Sequence, residues 1–301
     1  MLAETRPARG TTRWCSALSE LAEHYDGFVV DQFGVLHDGR VPYRGAAAAL
    51  RELRARGKRV IVLSNSGKRA ATNAQRLLRF DVGPDCCDQL LTSGELTWKM
   101  LVARDRAPFD RLGQAVLMLH PRDDRVMVEG LHLHEALGVG DASFLLLASL
   151  ADDQTPDTLR ALLRQAVARH LPMVCANPDR LRFALGQVLP AAGSVATLYE
   201  ELGGHVTWVG KPHPLIYDAC REQFAAWGAT RICAIGDSLE HDIGGGDAAG
   251  FDTCFIAGGL HAHQFDAAGP GGRDAQLARL LVTPHAAAVP APTWALPTLR
   301  W

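Results

Sequence analysis

Three uninterrupted apolar runs set the pattern of the chain, and polar residues follow each of them. The runs are Phe28–Val30, Val60–Leu63 and Ile232–Ile235. Runs of this length, rich in β-branched residues, are typical of strands buried on both faces of a parallel sheet. The stretches Pro42–Arg56 and Leu215–Trp227 predict helices, and a short helix is expected from Ser16 to His24. This alternation indicates an α/β fold with a doubly wound parallel sheet.

A second series of strands and helices interrupts the first. Its strands are expected at Gln89–Leu91, Ala115–Leu119, Phe144–Leu147 and Met173–Cys175, and its later helices at Pro156–Arg169 and Ser194–Leu202. The first series then resumes at Val206–Val209. An inserted domain would give this order, so the predicted domains are a core at 16–85 and 205–282 and an insertion at 86–204.

The two ends of the chain carry no clear periodic pattern. Residues 1–15 are expected to form a loosely held lead, and the Pro- and Ala-rich residues 283–301 an extended arm or loose tail. Trp294 and Trp301 indicate that parts of this arm dock on an apolar surface.

Composition removes several classes of protein from consideration. The chain has 301 residues, a net charge of −2 and 48% hydrophobic residues, which favour a globular protein over a nucleic-acid or membrane-surface binder. The longest apolar run, Ser143–Leu150, is too short to cross a bilayer, and Met1–Arg13 lacks the apolar core of a signal peptide. The seven cysteines have no regular spacing and predict reduced thiols in the cytoplasm.

Polar side chains that can hold a cation and an anion follow four of the predicted strands. They are Asp31, the pair Ser64 and Asn65, Lys211, and Asp237 with Asp242. Ligands bind at the carboxyl ends of the strands in an open parallel sheet, so these groups are expected to meet. Two or three carboxylates suit Mg²⁺, and a lysine with a hydroxyl suits a phosphate. Together they would neutralise the charge on a transferring phosphoryl group, and a carboxylate nucleophile would make the route covalent through an aspartyl phosphate.

In this order the motifs resemble those of the haloacid dehalogenase-like hydrolases. The matching segments are Asp31-x-Phe33-Gly34-Val35, Ser64-Asn65, Gly210-Lys211-Pro212 and Gly236-Asp237-x4-Asp242. The segments Lys211-Pro212-His213-Pro214 and Asn177-Pro178-Asp179, with the position of the insertion, are similar to class IIA, whose members carry an inserted α/β C2 cap. The resemblance covers roughly residues 16–260 and implies a Mg²⁺-dependent phosphatase of small phosphorylated metabolites such as sugar or nucleotide phosphates.

The resemblance also implies a role for each site residue. Asp31 would be the nucleophile and a Mg²⁺ ligand, together with the main-chain carbonyl of Phe33 and the carboxylates of Asp237 and Asp242. Ser64 and Lys211 would bind the phosphate, assisted by Asn65 and the amides that follow, beginning with Ser66. Asn177 and Asp179, on the cap, would face the substrate. No nucleic-acid or membrane partner is implied, and a homodimer is left open.

Phe33 departs from the pattern of the family. Phosphatases that this chain resembles carry a second aspartate two residues after the nucleophile, which protonates the leaving group and then activates water. A phenyl ring can do neither, and such acid–base catalysis contributes about 10²–10⁴-fold to the rate. His37 and Asp38 are candidates to replace it, with a purely structural role in the loop as the alternative. Two rival functions therefore stay open: a phosphometabolite-binding or regulatory protein with weak turnover, and a transferase of phosphate to an acceptor other than water.

Overall fold

The computed structural model describes residues 11–119, 125–184, 187–283 and 289–301. Most of the expected N-terminal lead, residues 1–10, lies outside these ranges, as do residues 284–288 of the expected C-terminal arm. In the described ranges, no helix is both long enough and apolar enough to span a membrane.

Fourteen strands occur in the described residues. In chain order they are β1 (Arg13–Trp14), β2 (Gly27–Asp31), β3 (Arg59–Ser64), β4 (Gln89–Thr92), β5 (Ala115–Met118), β6 (His134–Glu135), β7 (Phe144–Leu147), β8 (Pro172–Cys175), β9 (Leu181–Ala184), β10 (Gln187–Pro190), β11 (His205–Trp208), β12 (Ile232–Gly236), β13 (Asp252–Ile256) and β14 (Trp294–Leu296).

The α-helices of the described residues alternate with these strands. They are α1 (Ser19–Ala22), α2 (Ala46–Ala55), α3 (Ala70–Leu77), α4 (Ser93–Ala103), α5 (Pro156–Ala168), α6 (Ala192–Glu201), α7 (Pro214–Ala226), α8 (Gly245–Ala248), α9 (Ala262–Ala268) and α10 (Arg273–Leu281). The predicted elements of both series are present with ends shifted by a few residues, except that the first helix is only one turn long and that Pro42-Tyr43-Arg44-Gly45 precede α2 rather than belong to it.

The chain divides into two compact units. Of the described residues, those up to Ser64, those in Ala74–Leu91 and those in Tyr217–Trp301 form the first unit. Those in Asn65–Asn73 and Thr92–Ile216 form the second. Both units are α/β, and the predicted fold class is confirmed.

The first unit is built on a seven-stranded sheet in the order β1-β14-β13-β12-β2-β3-β4. Its central strands β12, β2 and β3 are parallel, with Val30 opposite Ile235 on one side and opposite Val62 on the other. All five residues of β2 are buried, which explains its unbroken apolar run. Side chains of alternate residues pack into a large apolar core that includes Phe28, Val30 and Val62.

The C-terminal arm is held in the sheet of the first unit, which agrees with the expected extended arm docked through Trp294 and not with the alternative of a loose tail. Its apolar segment, β14, lies inside the sheet between β1 and β13 and is parallel to both. Trp294 is fully buried, and its indole N–H donates to the hydroxyl of Tyr25 at 2.7 Å. Prolines at 292 and 297 flank the strand, and the lack of an N–H on proline explains why the segment is so short. The lead is likewise held from Arg13 onward, because β1 pairs with β14.

The second unit has its own five-stranded sheet, in the order β11-β8-β7-β5-β6, and a separate antiparallel hairpin of β9 and β10. All neighbours in the five-stranded sheet are parallel. Two strands were assigned to the wrong sheet from the sequence. The strand near Val206–Val209 pairs here, in the second unit, whereas Gln89–Leu91 belongs to the sheet of the first unit. Hydrophobic pattern alone does not identify a strand's neighbours, since every buried parallel strand has a similar composition.

Candidate active site

Three carboxylates come together at one edge of the sheet in the first unit. Asp31 is the last residue of β2, and Asp237 follows the last residue of the neighbouring parallel strand β12. Each of Asp31, Asp237 and Asp242 offers an oxygen, and these oxygens all lie within 4.8 Å of one another. The three residues are only 9%, 5% and 4% exposed. The predicted convergence of these three residues is therefore present in the structure.

Glycines and short loops bring the backbone against these carboxylates. Gly34 has φ +84°, and a β-carbon there would lie 1.7 Å from Asp237 Oδ2, so only glycine fits. A β-carbon at Gly236 would lie 2.0 Å from Cγ of Asp242. The amide of Leu260 donates to Asp237 Oδ2 at 2.6 Å, and the amide of Ser238 donates to Asp242 Oδ2 at 3.1 Å.

A π-helical turn at Leu239–Gly244 directs Asp242 back toward the strand end. The side chain of Ser238 caps this turn by accepting from the amide of His241 at 3.1 Å. Asp242 therefore lies five positions after Asp237 because one π-helical turn separates it from the end of β12. Single-turn π-helices occur frequently at functional sites.

The donor set fits a hard divalent cation. Three largely buried carboxylates in mutual proximity repel one another, and bringing a divalent cation among them would offset that repulsion. Carboxylate oxygens are the ligands that Mg²⁺ and Ca²⁺ take in proteins. The backbone carbonyl of Phe33 belongs to the same turn, between Asp31 and the Gly34 that abuts Asp237.

In the loop after β2, the position two residues after Asp31 carries the apolar ring of Phe33 and not an acidic side chain. Phe33 is 52% exposed, and its ring makes an edge contact with that of His37 at 6.0 Å between centroids. His37 is buried, stacks on Phe80 at 4.1 Å and accepts the amide hydrogen of Gly39 at Nδ1. Burial, together with the positive charge of Arg76, lowers the pKa of His37 to about 4, so the ring is neutral near pH 7.

Asp38 also has a local structural role. Its Oδ1 accepts from the amides of Arg40 at 2.8 Å and Val41 at 2.7 Å. These backbone hydrogen bonds hold the pKa of Asp38 below its usual value. This contact pattern is a turn stabilised by an aspartate side chain, and it favours the structural interpretation of both His37 and Asp38.

Another set of predicted site residues meets within the second unit. Asn65 and Lys211 are 6% and 3% exposed, and the amide of Lys211 donates to Asn65 Oδ1 at 2.7 Å. Nδ2 of Asn65 donates to the carbonyl of Lys211 at 3.1 Å and to Asp179 Oδ1 at 2.8 Å. The sequence prediction paired Asn65 with phosphate, but in the structure its amide group is bonded to protein partners.

The remaining predicted residues lie at the end of a strand or in the loops that follow strands. Ser64 is the half-buried last residue of β3. The hydroxyl of Ser66 accepts from the amide of Lys68 at 3.3 Å, and the carbonyl of Ser66 accepts from that of Gly94 at 3.0 Å. Oδ1 of Asn177 accepts from the amide of Asp179 at 3.0 Å, which closes a short turn after β8. Contact of any of these side chains with substrate stays a prediction.

Sequence reasoning missed two neighbours of these sites. The first is the Gly259–Leu260 segment, in which the amide of Leu260 donates to Asp237. This segment follows β13, so a search of strand ends for glycines as well as for polar side chains could have found it. The second is Ser93, whose hydroxyl closely approaches Gly210. A serine at the start of a helix gives no signal of this kind, because it also serves as an ordinary cap.

Two family models of hydrolases match this chain. Residues 28–133 match the family model described as haloacid dehalogenase-like hydrolase, and residues 208–281 match a second model for hydrolases of the same type. The chain belongs to the haloacid dehalogenase-like hydrolases. The predicted resemblance to class IIA and the prediction of a phosphatase-type enzyme are both confirmed.

Relatives match this hydrolase over most of its length. Human chronophin is 29% identical over 259 residues, which are 81% of this chain and 85% of chronophin. The crystal structure of a haloacid dehalogenase-like hydrolase from Brucella suis superposes with a TM-score of 0.76 at 26% identity, covering 95% of this chain and 99% of that one. Glycerol phosphate phosphatase from Mycobacterium tuberculosis, solved with magnesium, gives a TM-score of 0.64 at 25% identity and covers 80% of this chain and 70% of its own.

Proposed function

We propose that this hydrolase cleaves small phosphate monoesters, such as sugar or nucleotide phosphates, with Mg²⁺ and through a phosphoenzyme at Asp31. The observation that carries the proposal is the cluster of Asp31, Asp237 and Asp242, with carboxylate oxygens within 4.8 Å of one another. Its support is the likeness to a phosphatase solved with magnesium and to chronophin. We further propose that the second unit selects the substrate.

The proposed reaction has two steps, and the carboxylate of Asp31 takes part in both. In the first, an Asp31 oxygen attacks phosphorus, the bond from phosphorus to the ester oxygen breaks, and the leaving group departs with the electron pair. In the second, water attacks phosphorus, the bond to Asp31 breaks, and phosphate leaves while the carboxylate is regenerated. When bound, Mg²⁺ supplies positive charge that offsets the charge on the phosphoryl oxygens. Asp237 and Asp242 would hold it, and the lysine at 211 would pair with the phosphate.

Phe33 shapes this proposal, because its exposed ring has no proton to give or take. Without an acid at this position, a leaving group departs as an oxyanion, and weakly basic leaving groups react fastest. Water is also less activated in the second step. This observation favours one second candidate, transfer of the phosphoryl group from Asp31 to an acceptor that is a better nucleophile than water.

The test is phosphate release with Mg²⁺ from a panel of phosphate esters, by the wild type and by Asp31→Asn. The amide is a poor nucleophile and a weaker metal ligand, so turnover should fall to the background level. Acid quenching during turnover should trap one phosphoryl group on the wild type and none on the variant. Equal turnover by the two proteins would rule out the covalent route. Faster turnover of the active enzyme when alcohols are added, with phosphate transferred to the alcohol, would favour the transferase.

A further inference from the structure

Both N–H groups of the Asn65 side chain are used by contacts within the second unit. The amide of Lys211 can only donate, so the atom that faces it at 2.7 Å must be Oδ1 of Asn65. This assignment places Nδ2 against two acceptors, the carbonyl of Lys211 at 3.1 Å and Oδ1 of Asp179 at 2.8 Å. A primary amide has two N–H groups, and both are engaged. Neither remains for a phosphate oxygen.

The contacts fix the main chain from which the lysine side chain projects. Asn65 bonds both the N–H and the C=O of Lys211, so this residue cannot rotate its backbone without losing a hydrogen bond. Gly210 leaves no room for movement on the other side. A β-carbon at that position would lie 2.5 Å from the Ser93 hydroxyl and 2.5 Å from Cδ of Pro178.

The third contact of Asn65 holds Asp179 in the same network. Asp179 follows Asn177 and Pro178 in the turn after β8, and its own amide donates to Asn177 at 3.0 Å. A single asparagine therefore bonds two segments that are far apart in sequence, the Gly210–Pro212 segment and the turn after β8. The hydrogen bond to the carboxylate of Asp179 is charge-assisted and belongs to the stronger class.

We infer that Asn65 is a positioning residue that fixes the backbone of Lys211 against the carboxylate of Asp179, and that it is not a phosphate ligand. This inference rests on the proposed function, in which the lysine binds the phosphate. The network makes two properties depend on one amide: the affinity of the site for phosphate, through Lys211, and the choice of ester, through Asp179.

The experiment uses inorganic phosphate as a competitive inhibitor, with 4-nitrophenyl phosphate turnover in Mg²⁺ as the readout. Asn65→Ala should weaken inhibition by phosphate about 10- to 100-fold, the effect of losing a well-placed hydrogen bond around a charged group. Asn65→Asp should be more severe, since an oxygen replaces Nδ2 and faces both the carbonyl of Lys211 and the Asp179 carboxylate. Asn73→Ala, at an asparagine of similar burial in the same unit, is the control and should resemble the wild type.

Rescue separates positioning from direct binding. In the double variant with Asn65→Asp and Asp179→Asn, the contact between the two side chains re-forms with the donor on the other partner. Phosphate inhibition should then recover at least about tenfold over Asn65→Asp alone, because one hydrogen bond is regained. A direct phosphate ligand would show no such recovery, since the donor toward phosphate is still missing. No recovery would therefore overturn the inference.

The design remains decisive if Asn65→Asp does not fold, which its thermal midpoint would show. The cycle of Asn65→Ala, Asp179→Ala and the double variant then replaces it. Residues acting through one network give strongly non-additive losses, so additive losses would overturn the inference. Lys211→Met distinguishes a failure of the inference about Asn65 from a failure of the proposed function. If that variant responds to phosphate as the wild type does, the lysine is not a phosphate ligand, and the proposed function is wrong at this residue.

Discussion

At the scale of single residues, the chemistry of this hydrolase depends on which atoms stand beside three carboxylates. Asp31, Asp237 and Asp242 keep their oxygens close because glycines at positions 34 and 236 leave space for them. The exposed ring of Phe33 lies in the same turn and brings hydrocarbon to a place where an acid would be useful. Substitutions here should change the reaction rather than the fold.

Phe33→Asp should restore proton transfer at this turn. We expect hydrolysis of benzyl phosphate to increase more than hydrolysis of phenyl phosphate. The benzyl alkoxide is a more basic leaving group than phenoxide and therefore gains more from protonation. The upper limit of the gain is about 10²–10⁴-fold, the contribution of general acid–base catalysis. The ratio of the two rates is the measurement, since the two esters carry the same ring.

Phe33→Asn is the matched control for that experiment. It has the shape of the aspartate variant but no proton to transfer, so it should keep the strong preference for phenyl phosphate that we expect of the wild type. If the wild type already hydrolyses both esters at similar rates, another group supplies the proton and the role assigned to Phe33 is wrong.

The two carboxylates after β12 should differ in their effect on metal affinity. Asp237→Asn should weaken Mg²⁺ binding strongly, since Asp237 directly follows β12 and its carboxylate lies against Gly34 and Gly259. Asp242→Asn should weaken it less, because a π-helical turn brings this residue in from outside the strand. Calorimetric titration with Mg²⁺ measures both effects without turnover. Identical affinities in the wild type and both variants would exclude the cluster as the metal site.

At the scale of elements, the sheet of the first unit is completed by a strand from the far end of the chain. β14 contributes Trp294 and Leu296 to one apolar cluster and Ala295 to another, so it packs on both faces of the sheet. The amide of Cys15 also donates to the carbonyl of Ala295 at 2.9 Å. Because its side chains pack alternately on the two faces of the sheet, this short strand is part of the core on both sides.

Trp294→Ala should therefore destabilise the protein by about 3–5 kcal/mol, the usual cost of truncating a large buried aromatic side chain. It also removes the donor to Tyr25. Trp301→Ala is the matched control, since Trp301 is only partly buried at the edge of the same core and the guanidinium of Arg56 lies 4.2 Å from its ring centre. Chemical denaturation of both variants gives the comparison, and equal midpoints would mean that β14 contributes little to stability.

At the scale of the whole molecule, stability against acid should depend on a histidine beside the candidate active site. The pKa of His37 is about 4 in the folded protein and near 6.5 when unfolded. The unfolded chain therefore binds more protons between these values, and the free energy of unfolding falls as pH decreases from about 6.5 toward 4. The stabilisation that is present above the unfolded pKa amounts to about 3 kcal/mol as an order of magnitude.

His37→Asn should remove this part of the pH dependence. The asparagine oxygen can accept the amide hydrogen of Gly39 in place of Nδ1 but does not titrate in this range. Thermal midpoints measured in EDTA from pH 7 to pH 4 should decline less steeply in the variant than in the wild type. The use of EDTA keeps metal loss from contributing. Parallel curves would show that His37 is not buried as a neutral ring.

The sequence by itself determined the elements and the chemistry at their ends. Long apolar runs such as Val60–Leu63 gave their strands directly, because a strand buried on both faces has no polar position along it. The placing of Asp31 and Asp237 together also followed from sequence, since parallel strands end at a common edge. These features depend on local composition and on general rules of sheet geometry.

Only the tertiary structure decided which strands are neighbours and what each polar group bonds. The sequence left β14 open between an extended arm and a loose tail, because three apolar residues among prolines carry no periodic signal. Its partners in β13 lie about 40 positions earlier in the chain. The resemblance implies a role for Asn65 at the phosphate, and from sequence alone a polar residue after a strand can contact either a ligand or the protein. Its three hydrogen bonds come from residues 114 and 146 positions away, and no local pattern records such distant partners.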